Sequence, residues 1–324
     1  MNDLSSGMPS QASPRWYGLR IAVLIPCYNE EIAIAKVING FQRSVPEATI
    51  YVYDNNSRDQ TKAVARAAGA QIRTESLQGK GNVVRRAFAD IDADIYLLVD
   101  GDDTYDPSDA PAMIELLIDG HLDMVNGARV TDIQAAYRPG HRLGNRVLTG
   151  LVQSVFGNQI SDMLSGYRVF SRRFVKSFPS LASGFETETE FTIHALNLRM
   201  PIGEIATLYK DRPDGSVSKL RTYSDGLRIL RSIVVLVKEE RPLQFFSTLA
   251  GVLAILGIFV AIPVIRDYVV TGLVPRLPSA VLATALEILS ALSLASGLIL
   301  DSVARGRKEA KRLAYLAIAG VGAR

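Results

Sequence analysis

The chain has 324 residues, enough for one large domain or two smaller ones, and its net charge of +3 is too small to indicate a nucleic-acid partner. The single cysteine, Cys27, excludes an intrachain disulfide and a cysteine-rich metal site, and the three histidines are too widely spaced to form a metal motif. The N-terminal residues are polar and lack the apolar stretch of a signal peptide, so residues 1–18 are expected to form a disordered tail.

From residue 20 to about residue 125, strand-like and helix-like patterns alternate along the chain. Short apolar runs predict strands, and apolar residues at helical spacing predict helices between them. The strands are expected at 20–25, 49–53, 70–74 and 95–99, and the helices at 30–41, 59–69 and 81–91. Alternation with short loops predicts a parallel, doubly wound α/β sheet whose polar loops gather at one edge.

Three carboxylates, Asp100, Asp102 and Asp103, directly follow the fourth predicted strand. Carboxylates this close repel one another, so the cluster destabilises the fold unless a cation neutralises it. In open α/β sheets, ligands bind outside the carboxyl ends of the strands. Mg²⁺ or Mn²⁺ suits such a site because both prefer oxygen ligands and bind phosphates. Taken alone, the cluster fits a solvated acidic turn equally well.

The last part of the sequence shows membrane-like patterns. Amphipathic helices are predicted at 142–156 and 224–240. The apolar stretches 245–265 and 277–300 are each close to the ~20 residues that cross a bilayer, which predicts a transmembrane hairpin. Basic residues within 305–312 place the C-terminus and the large N-terminal domain in the cytoplasm by the positive-inside rule.

These patterns divide the chain into five segments. They are a tail at 1–18, an α/β domain at 19–222, an amphipathic membrane-interface helix at 223–243, a transmembrane hairpin at 244–303 and a basic cytoplasmic tail at 304–324. Glu287 lies inside the second span, where a charge is unfavourable, so we expect it to pair helices or to have a functional role. Nearby small residues are suited to helix packing, including packing between subunits of a homo-oligomer.

Four segments resemble the motifs of the family 2 glycosyltransferases of GT-A fold. They are VLIPCYNEE at 23–31, VYDNNSRDQT at 52–61, GKG at 79–81 and the D-x-D sequence DGD at 100–102. Four further segments are similar to the polyprenyl-phosphate sugar synthases within that family. They are GAR at 127–129, Arg142 with Asn145, DMLSGYR at 162–168 and RPDGSVSK at 212–219. Asn55 and Asn56 depart from the family's usual Asp-Gly.

The resemblance implies a Rossmann-like catalytic domain that binds a nucleotide-sugar with Mg²⁺ or Mn²⁺. The implied nucleotide-binding residues are Pro26, Tyr28, Glu30, Asp54, Lys80 and Asp100, and the implied metal ligands are Asp100, Asp102 and Thr104. The metal would stabilise the leaving nucleoside diphosphate. Helix capping and packing is the alternative role for Tyr28 and Glu30, and Lys80 is also interpretable as an exposed surface lysine.

The implied acceptor is a polyprenyl phosphate, which is already mostly a dianion at neutral pH and therefore needs cationic ligands more than a strong base. The expected phosphate ligands are Arg129, Arg142, Ser165, Arg168 and Lys219, and Arg129 and Arg142 are expected to act in catalysis together with Asp100 and Asp102. Direct displacement predicts inversion at the anomeric carbon. Glu186 and Glu188 are expected either to contact sugar hydroxyls or to order the arginines.

Two alternatives remain open from the sequence: a membrane glycosyltransferase with a saccharide or glycolipid acceptor, and a membrane protein that binds a nucleotide or lipid without turnover. The first lacks support because the Q-x-x-R-W motif of polysaccharide synthases is absent and the only tryptophan is Trp16. A Rossmann dehydrogenase and a P-loop protein are excluded by their missing glycine motifs. The expected location is the inner (cytoplasmic) membrane, with the sugar, the choice of UDP or GDP, and the choice of undecaprenyl or dolichyl acceptor undetermined.

Overall fold

The computed structural model describes residues 16–130, 160–180, 184, 186–213, 234–235 and 237–321. Contacts group the chain into two compact units, residues 1–220 with 315–324, and residues 221–314. The strands are β1 Ile21–Cys27, β2 Thr49–Asp54, β3 Gln71–Thr74, β4 Ile95–Leu98, β5 Met124–Val130, β6 Arg168–Ser171 and β7 Ile202–Leu208. The helices are α1 Ile34–Ser44, α2 Thr61–Ala67, α3 Lys80–Asp90, α4 Ala110–Asp119, α5 Arg172–Ser177, α6 Thr187–Leu198, α7 Pro242–Thr271 and α8 Leu277–Leu316.

The first unit is built on a seven-stranded sheet of order β3-β2-β1-β4-β6-β5-β7. Strands β1 to β4 pair in parallel, as the strand–helix alternation predicts. Beyond β4 the sheet is mixed, because β6 runs antiparallel to both β4 and β5. Strand β6 therefore starts at the edge where β4 ends, and this brings the preceding residues 162–167 to the same edge as the acidic turn.

The core lies between the sheet and its helices. The four apolar residues of α1 at helical spacing, Ile34, Val37, Ile38 and Phe41, are all buried, as their periodicity predicts. Trp16 is also buried in this core, and its indole N–H donates to Glu47 Oε2 at 3.3 Å. Trp16 therefore belongs to the folded domain and not to the tail predicted at 1–18, while residues 1–15 lie outside the described residues.

A second packed cluster contains five phenylalanines, namely Phe88, Phe170, Phe174, Phe178 and Phe191. Phe191, in the middle of α6, lies 4.9 Å from Phe170 and 4.9 Å from Phe178 between ring centroids. Phe88 of α3 contacts the same ring at 6.1 Å. This cluster fixes α6 relative to α3, the two helices that carry Glu188 and Lys80.

The second unit contains two helices long and apolar enough to cross a membrane, α7 and α8. Only 17% and 11% of their most apolar windows are buried, so they do not have the burial of core helices of a soluble domain. Both helices extend beyond the predicted spans of 245–265 and 277–300. The amphipathic segment 142–156 lies outside the described residues, as does most of 223–243 before Val237.

The two helices of the second unit pack through small and hydroxylated residues. Ser290 Oγ donates to the Ala250 carbonyl at 2.8 Å, and Ser293 Oγ donates to the Phe246 carbonyl at 2.9 Å. A Cβ atom at Gly257 would lie 2.5 Å from Glu287 Oε1, so the missing side chain makes room for that carboxyl group. Glu287 thus takes part in packing within the hairpin, one of the roles expected for it.

Candidate active site

The acidic turn that follows β4 is held tightly against β1. A Cβ atom at Gly101 would lie 2.6 Å from Cys27 Sγ, so only glycine lets the turn approach the sheet this closely. Asp102 is 4% exposed, and its Oδ1 accepts a 2.6 Å hydrogen bond from Thr104 Oγ1. Burial and the neighbouring Asp100 raise the pKa of Asp102 above its ordinary value. Thr104, an expected metal ligand, thus contacts the carboxylate that would hold the ion.

Lys80 lies between two carboxylates at the start of α3. Its Nζ is 2.5 Å from Asp100 Oδ1 and 2.5 Å from Glu188 Oε1, and its side chain is 8% exposed. Burial alone would lower the pKa of Lys80, but the two carboxylates outweigh burial and raise its pKa above the ordinary value. The alternative of an exposed surface lysine is wrong. The structure instead joins three expected site residues from three separate segments of the chain.

Arg212 holds the second carboxylate of the D-x-D motif. Its Nη2 lies 2.5 Å from Asp102 Oδ2, and its Nη1 lies 4.0 Å from Glu30 Oε1. Arg212 is the first residue of the segment RPDGSVSK, whose resemblance implies no role for Arg212 itself. Its position after β7, more than a hundred residues from Asp102, gives no local signal of this contact.

The expected nucleotide-binding residues lie at the carboxyl ends of β1 and β2. Asp54 is fully buried, accepts hydrogen bonds from the Ser57 amide at 3.3 Å and pairs with Lys62 Nζ at 3.1 Å. Pro26 is part of β1, and Tyr28 follows the strand; both are partly exposed at this edge.

Glu30 is buried and combines a structural contact with a charged one. Its amide donates to Thr61 Oγ1 at 2.8 Å, and its carbonyl accepts the first amides of the turn that leads into α1. The backbone of Glu30 therefore has the capping role that was its alternative interpretation, while its side chain faces Arg212.

The unusual Asn55 and Asn56 hold the loop that precedes Lys80. Asn55 Nδ2 donates to the carbonyls of Glu75 and Leu77, each at 2.8 Å, and Asn55 Oδ1 accepts from the Gly79 amide at 2.6 Å. Asn56 adopts a left-handed φ of 67°, which asparagine tolerates in place of glycine. A carboxylate at position 55 has no N–H to donate. The departure from the family's Asp-Gly therefore has a structural reason.

Arg129, expected to bind the acceptor phosphate, is oriented by Asp162. Its Nε and Nη2 donate to the two Asp162 oxygens at 2.7 and 2.8 Å, a bidentate arrangement. The guanidinium lies 5.5 Å from the centroid of the Tyr209 ring, and Tyr209 packs against Tyr105 at 5.2 Å. Tyr105 Oη accepts from the Gly166 amide at 2.9 Å. The two tyrosines, which the sequence analysis did not identify, connect Arg129 to the acidic turn.

Arg168 does not reach this edge with its guanidinium. It is fully buried and donates to the Ser165 carbonyl at 3.1 Å, the Met163 carbonyl at 2.6 Å and Thr192 Oγ1 at 3.0 Å. Burial lowers its pKa to about 10. This burial conflicts with the expected phosphate contact, because the guanidinium group is used for hydrogen bonds to other groups of the protein. We infer that Arg168 is a positioning residue for the 162–168 segment.

Ser165 is likewise committed to the fold. Its Oγ donates to the Gly127 carbonyl at 2.5 Å and accepts from the Tyr167 amide at 3.2 Å. The residue is fully buried and its one hydroxyl hydrogen is used by the Gly127 carbonyl, so the expected contact with an acceptor phosphate would require that bond to break. We infer that Ser165 also positions the segment rather than binding the phosphate. Arg142 and Lys219, the other expected phosphate ligands, lie outside the described residues.

Glu186 and Glu188 begin α6, and each has one buried carboxylate oxygen without a hydrogen-bond partner among the described residues. Glu186 Oε1 accepts from the Gly184 amide at 3.2 Å, and Glu188 Oε1 pairs with Lys80. Buried oxygens are rarely left without a partner, so the Oε2 atoms of both residues are candidates for ligand contacts. Neither carboxylate forms a described contact with an arginine.

Comparison with known proteins agrees with this geometry. Residues 22–178 match the family described as Glycosyl transferase family 2. Glycosyltransferase AglJ of Haloferax volcanii is 34% identical over 259 residues, which cover 78% of this chain and 84% of AglJ. The chain belongs to glycosyltransferase family 2. This family 2 enzyme is accordingly a glycosyltransferase that takes its sugar from a nucleotide-sugar donor, as the motifs imply.

Two further similarities bear on the family 2 enzyme. A protein of the same organism named Dolichyl-phosphate hexose transferase is 28% identical, covering 68% of this chain and 95% of that protein. Glucosyl-3-phosphoglycerate synthase of Mycobacterium tuberculosis, crystallised with Mn²⁺, UDP and glucosyl-3-phosphoglycerate, is similar with a TM-score of 0.57 at 22% identity. That match covers 69% of this chain and 80% of the synthase, and it confirms the GT-A type of fold.

Proposed function

We propose that the protein transfers a sugar from a nucleotide-sugar to a polyprenyl phosphate, with inversion, at the cytoplasmic face of the inner membrane. The observation that carries the proposal is that a glycosyltransferase domain is followed, in one chain, by two helices of membrane-spanning length. A polyprenyl chain stays in the bilayer, so an enzyme that uses it must work at the membrane surface. The similarity to a dolichyl-phosphate hexose transferase supports the same acceptor class.

The donor nucleotide is proposed to bind over the carboxyl ends of β1 and β2. Asp54 is suited to accept hydrogen bonds from a base, and Pro26 and Tyr28 line the adjacent edge. Lys80 and Arg212 are cations beside the D-x-D carboxylates and match the charge of a diphosphate.

The residues present fit a divalent cation. Asp100 and Asp102 offer hard oxygen ligands at the end of a buried strand, and each already binds a cationic side chain. No group of three or more His, Cys, Asp or Glu side chains suited to a metal occurs among the described residues, so diphosphate oxygens would complete the ligand set. Bound Mg²⁺ or Mn²⁺ would stabilise charge on the leaving diphosphate. Thr104 would orient Asp102 through its 2.6 Å hydrogen bond.

The acceptor phosphate is proposed to meet Arg129 first. Asp162 and Tyr209 fix the plane of that guanidinium, and fixed geometry favours bidentate phosphate binding. Arg142 and Lys219 are proposed to join Arg129 from segments that the structure does not describe. A phosphate oxygen of the acceptor then attacks the anomeric carbon as the bond from that carbon to the nucleoside diphosphate breaks, and the configuration at the carbon inverts.

The donor sugar is proposed to contact the free carboxylate oxygens of Glu186 and Glu188. These oxygens are buried and lie at the start of α6, which Lys80 ties to the D-x-D motif. Sugar hydroxyls are hydrogen-bond donors that such acceptors suit. We propose that these two residues select the sugar.

The test is transfer of label from UDP- and GDP-sugars to undecaprenyl phosphate by the purified protein in detergent with Mg²⁺ or Mn²⁺. We expect one donor to move label into the organic phase, with an inverted anomeric configuration by NMR. Asp102→Asn should abolish transfer. Asp106→Asn, in the same turn but paired with Lys210 at 2.6 Å, should retain it. Nucleotide binding without transfer to the lipid from any donor would contradict the proposed acceptor.

A further inference from the structure

Both carboxylates of the D-x-D motif contact a basic side chain brought from a distant part of the chain. Lys80, at the start of α3, lies 2.5 Å from Asp100. Arg212, after β7, lies 2.5 Å from Asp102. A divalent cation held by the motif would bind the same two carboxylates, and one oxygen of each already contacts a basic side chain. Cation and side chain cannot share a carboxylate oxygen at full strength, because their positive charges repel each other.

The charges around the motif match those of a divalent cation. Four carboxylates and two basic side chains form two neighbouring sets of contacts, each with two carboxylates and one basic group, which leaves two formal negative charges in total. The members are Asp100, Asp102, Glu188 and Glu30, with Lys80 and Arg212. A bound divalent cation would neutralise the cluster and free the two basic groups for another anion.

We propose that Lys80 competes with the divalent cation for Asp100 and, when displaced, binds the diphosphate of the donor. This device rests on the proposed function, because it assumes a nucleoside diphosphate above the same edge. Its consequence is regulatory: the cation and the donor bind as a coupled pair, because the cation displaces Lys80 from Asp100 and the donor diphosphate accepts the displaced ammonium group. Arg212 and Asp102 form the second contact of the same kind.

Lys80 has both the freedom and the partner that such a move requires. Glu188 remains beside the ammonium group at 2.5 Å, so leaving Asp100 does not strand a buried charge. Gly166 lies against the pair, and a Cβ atom there would lie 3.1 Å from Lys80 Nζ and would overlap an Asp100 oxygen. Only glycine therefore fits beside the pair, and the flexible lysine stem lets the ammonium group turn about Glu188 when it leaves Asp100.

The experiment measures Mn²⁺ binding by electron paramagnetic resonance, with and without UDP or GDP. Competition predicts that Lys80→Met binds Mn²⁺ about tenfold more tightly than the wild type. The same variant should bind the nucleotide about tenfold more weakly at saturating Mn²⁺, so the coupling between the two ligands falls. If Lys80 had only a structural role, Lys80→Met would instead lower the melting temperature without tightening Mn²⁺ binding.

Two further variants separate competition from a general change of charge. Lys36→Met removes an equal charge from a lysine that pairs with Asp103 in the same turn and is 68% exposed, and it should change Mn²⁺ affinity far less. Lys80→Met with Glu188→Gln keeps the wild-type net charge and leaves no unpaired buried carboxylate at position 188. Tighter Mn²⁺ binding by this double variant supports competition.

The outcomes distinguish the two proposals. The competition is overturned if Lys80→Met and the double variant both bind Mn²⁺ no more tightly than the wild type does. Wild-type protein that binds Mn²⁺ but neither nucleotide overturns the proposed donor site, while the Mn²⁺ affinities still decide whether Lys80 competes for Asp100.

Discussion

Asn55 and Gly79 are joined by a 2.6 Å hydrogen bond from the Gly79 amide to Asn55 Oδ1. Gly79 immediately precedes Lys80, so this bond sets the start of the helix that carries the site lysine. Gly79 has a φ of +129°, which side chains rarely adopt, and α3 begins at the next residue. One asparagine amide therefore links the end of β2 to the position of Lys80.

Replacing Asn55 by aspartate is expected to release this loop. The carbonyls of Glu75 and Leu77 would lose their donors and face a carboxylate, which should lower the free energy of unfolding by about 1–3 kcal/mol. Urea denaturation measures this, and the Michaelis constant for the donor should rise. Asn56→Gly is the comparison variant: it keeps a residue suited to the left-handed φ and loses only exposed hydrogen bonds, such as the 2.9 Å bond to the Ser76 carbonyl, so it should cost less stability than Asn55→Asp. An Asn55→Asp protein as stable as the wild type would refute this reading.

Arg168→Met is expected to impair folding more than acceptor binding. The substitution leaves the carbonyls of Ser165 and Met163 without donors inside the core, and the loss should be about 2–4 kcal/mol. Chemical denaturation of the soluble or detergent-held protein measures the stability, and lipid titration measures the acceptor Michaelis constant. A stable variant with a selectively raised constant for the lipid would restore the phosphate role of Arg168.

Asp162→Asn is expected to weaken acceptor use without a comparable effect on the donor. The asparagine amide is neutral and has only one acceptor oxygen, so it can accept only one of the two bonds that Arg129 donates to Asp162. The guanidinium group of Arg129 is then held less firmly in its present orientation. We expect kcat/KM for the lipid to fall about tenfold, with nucleotide affinity nearly unchanged. Equal losses for lipid and nucleotide would indicate damage to the whole edge of the sheet instead.

Tyr315→Phe is expected to destabilise the catalytic unit, although it lies near the C-terminus. The Tyr315 hydroxyl donates to Asp123 Oδ2 at 2.7 Å, and the guanidinium of Arg173 lies 4.9 Å from the same ring. Asp123 is fully buried, so losing this donor should lower the free energy of unfolding by about 1–2 kcal/mol. Thermal unfolding checks the value, with Tyr268→Phe, exposed on α7, as a neutral control.

Gly257→Leu is expected to disturb the packing of α7 on α8. Its side chain would enter the space that the Glu287 carboxyl group occupies 2.5 Å from the position of a Cβ atom. Gly251→Leu is the matched control, because a Cβ atom at Gly251 meets nothing within 4 Å. Unfolding in detergent should show a lower transition for Gly257→Leu alone. Equal transitions would show that the hairpin tolerates a side chain at Gly257.

Much of the first half of the fold was predictable because its signals are local. The apolar runs that predict β1, β2 and β4 are buried strands, and α1 buries the residues that its periodicity selects. The two apolar helices were also predicted, although their ends were not. Helix α8 continues to Leu316 because charged residues are good helix formers once outside an apolar span.

The antiparallel strand β6 was not predictable in the same way. Its four residues, Arg168–Ser171, form no extended apolar run, and they follow a long segment without strand patterns. The buried Arg168 shows a related limit. An arginine in a matched motif suggests contact with a ligand. Only the tertiary structure reveals that the Arg168 guanidinium donates hydrogen bonds to carbonyl groups of its own segment.

The sequence by itself determined the kind of chemistry, because short apolar runs predict where the strands end and the sequence shows which residue types follow them. It placed Asp54, Asp100 and Asp102 at one edge and attached two apolar spans to the same chain. The tertiary structure alone decided which charges pair. Lys80 meets Asp100 and Glu188, and Arg212 meets Asp102, because strands and helices distant in sequence converge there. Such pairings follow from topology and packing, which no local pattern encodes.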